Sequence, residues 1–269
     1  MKKKALHVLG TGVAIVTHYY NTAFVLDNGE DYFLVDGMGG IDVLRQFAHF
    51  HIPWEKLKGA FLSREHTDHF LGMVYVVRMI AHYMRLGLYE GEFHLYGHDN
   101  VLRKLENVCR NILQPIEVSF LGKRLFFDVV EDREERDIWG CHFTFFDIHS
   151  TKAKQFGFRM IWENKSIVFL GDEPLSETCA DLCMHADYLL SEAFCLYKER
   201  DIHTPYRYHH STVMDAAKNA ERFQAKNLVL WHTEDTTTYG RRKELYTAEA
   251  QLYYHGKVYV PEDGETILL

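Results

Sequence analysis

The chain has little of what makes linkers, disulfide scaffolds or membrane anchors. Only five of its 269 residues are proline and five are cysteine, and no two cysteines form a C-x-x-C pair. An odd cysteine count argues against a disulfide framework and for a reduced, cytoplasmic chain with structural thiols. No run of about 18 uncharged apolar residues occurs, so no membrane span is expected. The basic start Met1-Lys2-Lys3-Lys4 leads into an apolar stretch broken by His7, Gly10 and Thr11, which reads as a strand and not as a secretory leader. Basic residues are outnumbered, 30 Lys and Arg against 38 Asp and Glu, for a net charge of −8. That balance argues against a broad electrostatic footprint for nucleic acid. No Gly/Ser-rich tract, like-charge block or solenoid repeat divides the chain. The expectation is a single domain over residues 1–269, large enough for a substantial core. The acidic run over 131–137 reads as a solvated turn or loop.

What the chain does have is histidine, 17 residues of it. The stretch Ser63-Arg64-Glu65-His66-Thr67-Asp68-His69 sets two imidazoles and a carboxylate within four residues, directly after the apolar run Gly59-Ala60-Phe61-Leu62. Borderline cations such as zinc take imidazole nitrogen and carboxylate oxygen, so three such donors on one strand-to-helix loop point to a metal site. The same pattern, an apolar strand followed by a polar donor, recurs three times. Phe145-Phe146-Asp147-Ile148 leads to His149, Phe169-Leu170-Gly171 to Asp172, and Leu228-Val229-Leu230-Trp231 to His232. Strand ends along one sheet edge can converge, and rigid strands fix donors well enough for metal geometry.

Period-two patterning places strands near 5–10, 22–27, 31–36, 59–62, 93–96, 116–120 and 123–130. Further strands are expected over 141–147, within 155–170 with a turn at Glu163-Asn164-Lys165, and over 187–191 and 228–231. Helical spacing marks 41–50, 70–86 and 212–223, and Asp99 or Asn100 is the expected cap of a helix that follows His98. Asp36, after an apolar strand, is expected to brace the histidine loop. Tyr75, Arg78, Tyr83, Arg85 and Tyr89 are candidate cleft residues, with a core or subunit-contact role as the plainer reading.

Taken together these residues resemble the metallo-β-lactamase superfamily, whose loop reads His-x-His-x-Asp-His, and within it the ribonuclease Z branch. The resemblance runs through Leu9-Gly10-Thr11-Gly12, Leu34-Val35-Asp36-Gly37, Phe169-Leu170-Gly171-Asp172 and the segment from Ala186 to Glu192. It continues through His210-Ser211-Thr212 to Trp231-His232. It implies an α/β fold, a four-layer αββα metallo-β-lactamase-like sandwich with a two-metal site at one edge. By motif match His66 and His149 hold one metal, Asp68, His69 and His232 the second, and Asp172 bridges them. Such a pair, usually about 3.5–4 Å apart, activates a water and stabilises charge on an attacked phosphoryl or acyl centre. Zinc is the implied ion, one or two per chain, with manganese or iron as alternatives. Asp68 doubles as a catalytic carboxylate. His210 matches a proton donor and Glu192 the carboxylate that orients it. The family expectation is a homodimer.

Two departures shape the expected activity. Arg64 replaces the first loop histidine, and a guanidinium has no lone pair to give a metal. Arg64 either swings away and leaves a weakened two-metal site, or takes the first position and grips an anionic substrate group, or hydrolysis is lost. The expectation is metal binding with the second position better filled. The flexible Gly/Pro-rich arm that ribonuclease Z enzymes use on transfer RNA has no counterpart between His149 and Asp172. With the acidic charge, this favours a small anionic or ester substrate over transfer RNA. The expected activity is metal-dependent hydrolysis of a phosphodiester. The alternatives are a thioester or ester hydrolase, and a non-catalytic or mononuclear ligand-binding protein.

Overall fold

The structure, a computed structural model, describes residues 4–269, so Met1–Lys3 of the basic start lie outside the described residues. The chain divides into two compact units, Met1–Gly10 with Tyr20–Val130 and Asp263–Leu269, and Thr11–Tyr19 with Glu131–Glu262. No helix of the described residues is long and apolar enough to cross a membrane.

The first unit holds a seven-stranded sheet. Its strands are β1 (Ala5–Gly10), β2 (Ala23–Asp27), β3 (Tyr32–Val35), β4 (Leu57–Leu62), β5 (Phe93–Gly97), β6 (Leu125–Val129) and the C-terminal β14 (Thr266–Leu268), in the order β14-β1-β2-β3-β4-β5-β6. The first four are antiparallel neighbours, and β3 through β6 run parallel. The β2–β3 turn is built by side chains. Asp27 accepts from the Gly29 amide and Asn28 from the amides of Glu30 and Asp31, with Gly29 at φ 83°. Helices α1 (Asp42–His49), α2 (Thr67–Arg85), α3 (Asp99–Ile112) and α4 (Pro115–Val118) follow. Helix α2 carries Met73, Val76, Val77, Ile80 and Met84 into a core with Leu34, Ala60, Leu62 and Leu95, the stripe its spacing predicts.

Three local expectations change. The 116–120 segment is not a strand but the turn α4, because Pro115 opens it and Gln114 and Glu117 form a capping box. Helix α3 is capped by neither Asp99 nor Asn100 but by His98, whose Nδ1 accepts from the Val101 amide at 3.4 Å. Helix α2 begins at Thr67, so Asp68 and His69 sit in its first turn instead of on a loop, and His66 is the N-cap residue. A carboxylate there also complements the positive end of the helix dipole.

The second unit holds β7 (Glu135–Ile138), β8 (Cys141–Asp147), β9 (Phe156–Trp162), β10 (Lys165–Phe169), β11 (Tyr188–Glu192), β12 (Asn227–Trp231) and β13 (Lys257–Tyr259). Their order is β13-β12-β11-β10-β9-β8-β7, again half parallel and half antiparallel. Part of the acidic run is therefore β7, an edge strand, not a loop, and its charges suit an exposed edge. The helices are α5 (Ala180–Cys183), α6 (Arg200–His203), α7 (Val213–Arg222) and α8 (Arg242–Ala250). Thr212 and Asp215 form a capping box at α7, whose Val213, Ala216, Ala217 and Ala220 pack on Leu189, Leu228 and Leu230. All five cysteines are buried and free. Burial pushes the thiols of Cys109 and Cys183 up to about 12, which suits inert packing groups.

Candidate functional site

In the first unit, parallel strands β3 and β4 end side by side, and Asp36 leaves β3 at φ 61°. Its carboxylate accepts from the Ser63 amide and hydroxyl, both at 2.8 Å, and from His69 Nδ1 at 2.8 Å. Asp36 thus joins the end of β3, the end of β4 and the first turn of α2, the bracing role its position suggested. The Gly37 amide donates to the His69 carbonyl at 2.7 Å, and the Gly72 amide to that of Met38 at 2.9 Å. A Cβ on Gly72 would lie 1.6 Å from the Gly37 oxygen, so only glycine lets α2 approach this closely. A carboxylate only accepts, so His69 carries its proton on Nδ1. Its Nε2 faces Asp68 Oδ2, 3.2 Å away, with both side chains buried.

Arg64 and His66 form a separate pair. The Arg64 guanidinium is fully buried, and its Nη2 lies 2.8 Å from His66 Nδ1 and 3.0 Å from Nε2. Arg64 therefore lies against a half-buried imidazole and is not displayed to solvent as an anion grip.

In the second unit, β10, β11 and β12 are parallel neighbours, so Asp172, Glu192 and His232 gather at their carboxyl ends. Gly171 at φ 69° turns the chain, and Gln155 Nε2 donates to Asp172 Oδ1 at 2.6 Å. A Cβ on Gly171 would stand 2.5 Å from that same amide. His232 Nε2 lies 3.3 Å from Asp172 Oδ2, both buried. Glu192, wholly buried, accepts from the Ser211 amide at 2.5 Å, and its Oε2 is 3.5 Å from His210 Nδ1. His210 stacks on Phe194 at 5.0 Å and 10°, with the His232 ring 5.6 Å away. His149 is exposed at φ 57°, and its backbone amide donates to Asp147 Oδ1. Its imidazole makes no hydrogen bond among the described residues.

Each unit thus brings together part of the expected set, Asp68 with His69 in one, and Asp172 with His232 and Glu192 with His210 in the other. His66 is turned to Arg64, and His149 stands out in solvent. Asp36, His149 and His232 all adopt left-handed backbone, which is uncommon away from glycine and clusters at functional sites. Sequence reasoning missed Gln155, Phe194 and the pair Glu234 and Asp235 that follows His232. A carboxylate pair directly before three threonines was the available signal. Glu234 accepts from the amides and hydroxyls of Thr236, Thr237 and Thr238. Its proximity to Glu199 and His203 is accordingly that of a loop fastener.

Asp235 takes the amides of Thr17 and His18 at 2.6 and 2.7 Å, and His18 Nδ1 at 3.1 Å. Burial works to raise the Asp235 carboxyl, but these hydrogen bonds outweigh it and hold the group below its ordinary value. A carboxyl with a depressed folded pKa contributes stability above the unfolded value of about 3.9, and that stability is lost as pH falls through the folded value. The 11–19 segment is therefore expected to open below about pH 4, and Asp235→Asn to open it at neutral pH. Amide hydrogen exchange at Thr17 and His18 reads both.

Compared with known proteins, residues 4–250 match a family model described as anti-Pycsar protein Apyc1. Ribonuclease Z of Porphyromonas gingivalis is 25% identical over 134 residues, 48% of this chain and 42% of that protein, so the match spans under half of that relative. Ribonuclease Z of Thermococcus sibiricus is 24% identical over 306 residues, 97% of this chain and 95% of that protein. Among solved structures, the metallo-β-lactamase fold protein YhfI of Bacillus subtilis matches with a TM-score of 0.79 at 18% identity, covering 98% of this chain and 99% of that one. The α/β, αββα sandwich expected from the sequence is the fold these proteins share. The chain has the metallo-β-lactamase fold and belongs to the anti-Pycsar protein Apyc1 family.

Proposed function

We propose that the protein, acting as one domain over residues 1–269, is a metal-dependent hydrolase of a small phosphodiester. The observation that carries this reading is the setting of His69. Asp36 lies on its Nδ1, and its Nε2 is turned to the Asp68 carboxylate, 3.2 Å away and out of water. An imidazole nitrogen beside a carboxylate oxygen, with the ring oriented by an outer carboxylate, is the donor pattern of a divalent-metal site. Asp172 and His232 present the same pairing of carboxylate and imidazole at 3.3 Å. By motif match we assign Asp68, His69 and His232 as donors of the better-filled position, with Asp172 shared. This set suits zinc, with manganese or iron as the other candidates. When bound, such an ion supplies Lewis acidity and lowers the pKa of water.

The residues of the chain do the rest. Asp172 keeps one oxygen on Gln155 and turns the other toward the site, so its direction is fixed before substrate arrives. His210, backed by Phe194 and faced by Glu192, is placed to hand a proton to the leaving oxygen. Ribonuclease Z relatives suggest the phosphodiester bond. The net charge of −8 and the short 149–172 connection favour a substrate smaller than transfer RNA. Elemental analysis after reconstitution, with turnover of bis(p-nitrophenyl) phosphate, tests the proposal. A chain that retains no ion, or an ion-loaded chain that leaves the ester intact, defeats it.

Arg64 against His66 favours one ion over two, because a buried guanidinium beside the first position repels a second dication. Arg64→His is expected to raise bound metal from about one to about two equivalents per chain. Unchanged stoichiometry by elemental analysis would remove this part of the reading.

A further inference from the structure

Two buried polar atoms face each other at the carboxyl end of β11 without a bond between them. Glu192 is wholly buried, and its Oε1 is taken by the Ser211 amide. Its Oε2 has no hydrogen-bond partner among the described residues, and neither has His210 Nδ1, 3.5 Å away. That separation lies beyond the roughly 2.7–3.2 Å of a good N–H···O bond. Native folds pair such atoms, and those left open are often strained or catalytic. Hydrogen bonds of catalytic groups are commonly long before substrate binds and tighten in its complex.

Phe194 holds the imidazole at this distance. The two rings are stacked, with centroids 5.0 Å apart and planes at 10°. Phe194 is itself fixed from several sides. Its amide donates to the Ser211 carbonyl at 3.0 Å, and its carbonyl accepts from the Glu234 amide at 2.8 Å and from the Tyr246 hydroxyl at 3.0 Å. Its ring meets the His203 ring edge-on, at 5.9 Å and 84°, and His203 Nε2 is tied to Thr237 Oγ1 at 2.9 Å. The 234–237 loop thus grips Phe194 by backbone and by ring. A flat apolar face offers an imidazole no hydrogen bond and no ridge. Dispersion has no preferred direction along such a face, so the imidazole slides in its own plane at little cost, whereas tipping drives it into the Phe194 carbons.

We infer that Phe194 is a positioning residue for His210, a rail along which the imidazole travels to close on Glu192 when the leaving oxygen engages its other nitrogen. The inference rests on the hydrolase reading of this site and adds a residue to its machinery. Phe194 acts through His210, and the 234–237 loop acts by holding Phe194.

The test is a double-substitution cycle on the metal-loaded protein with bis(p-nitrophenyl) phosphate. Phe194→Leu keeps an apolar side chain and removes the flat face. It is expected to lower kcat about 10–10²-fold, the consequence of a misplaced catalytic group, with KM and metal content unchanged. Phe194→Tyr, which keeps the face, is expected to recover most of that loss. In a His210→Ala background, Phe194→Leu is expected to cost nothing further, because the residue it acts through is gone. A leucine variant as fast as the unsubstituted protein, a tyrosine variant as slow as leucine, or losses that multiply in the double variant each overturn the rail. Failure of the unsubstituted protein to cleave the ester counts against the hydrolase reading instead. Equilibrium binding of orthovanadate, a mimic of the pentacoordinate phosphoryl group, then decides the rail by itself. Binding about tenfold weaker in Phe194→Leu, and no weaker in the double variant than in His210→Ala, supports it. Equal binding by leucine and unsubstituted proteins, nil included, overturns it.

Discussion

Asp172→Ala is expected to strip the protein of its ion and lower turnover of bis(p-nitrophenyl) phosphate by about a thousandfold or more. The magnitude follows from the several kcal/mol of charge stabilisation an ion supplies, at 1.36 kcal/mol per tenfold in rate. Asp172 is the strongest single choice because its carboxylate is buried, is held by Gln155 and lies 3.3 Å from His232. Removing it leaves His232 without its neighbouring carboxylate and the Gln155 amide without its acceptor. A thermal melt of the metal-free protein separates loss of site from loss of fold. The reading requires metal content and turnover to fall together while metal-free unsubstituted and variant proteins melt within a few degrees of each other. Turnover that survives the substitution contradicts the mechanism outright.

His210→Ala is expected to reduce kcat by roughly 10²–10⁴-fold with metal content intact, the usual contribution of a positioned proton donor. The split between rate and metal content matters, because a residue that merely braces its loop would give a small effect or take the ion with it. Glu192→Gln keeps the shape of the partner and removes its charge. Since Glu192 Oε2 is 3.5 Å from His210 Nδ1, the substitution should lower kcat in the same direction, with metal content again intact. A kcat unmoved by either change assigns the proton transfer to another group.

Most of the scaffold was legible because its strands are apolar runs that end in a donor. The end of β4 at Leu62, the turn between β9 and β10 and the end of β12 at Trp231 fall where alternation and turn residues place them. The errors have local causes. The 116–120 segment has the apolar content of a strand, yet a proline with a capping glutamate three positions after Gln114 outweighs it over so short a stretch. The histidine loop looked like a loop because His66, Thr67 and Asp68 are poor helix interiors. They are good first-turn residues, which is where α2 uses them. At the site, candidate donors could be named from motif and strand ends, but their second contacts could not. Nothing in the spacing says that Gln155 faces Asp172, that Phe194 lies flat on His210, or that Arg64 buries itself against His66. Those contacts join residues whose meeting depends on sheet order, and sheet order is a long-range property that no local pattern carries.

The crossing of Gly37 and Gly72 gives position 72 an importance out of proportion to its chemistry. It touches no ion and donates no proton, and it lies outside every motif by which such proteins are recognised. Alanine there would push the first turn of α2 outward by the width of a methyl group and carry His69 with it. A relative with every proposed donor in place and alanine at 72 would pass as intact on inspection, yet its His69 would stand elsewhere.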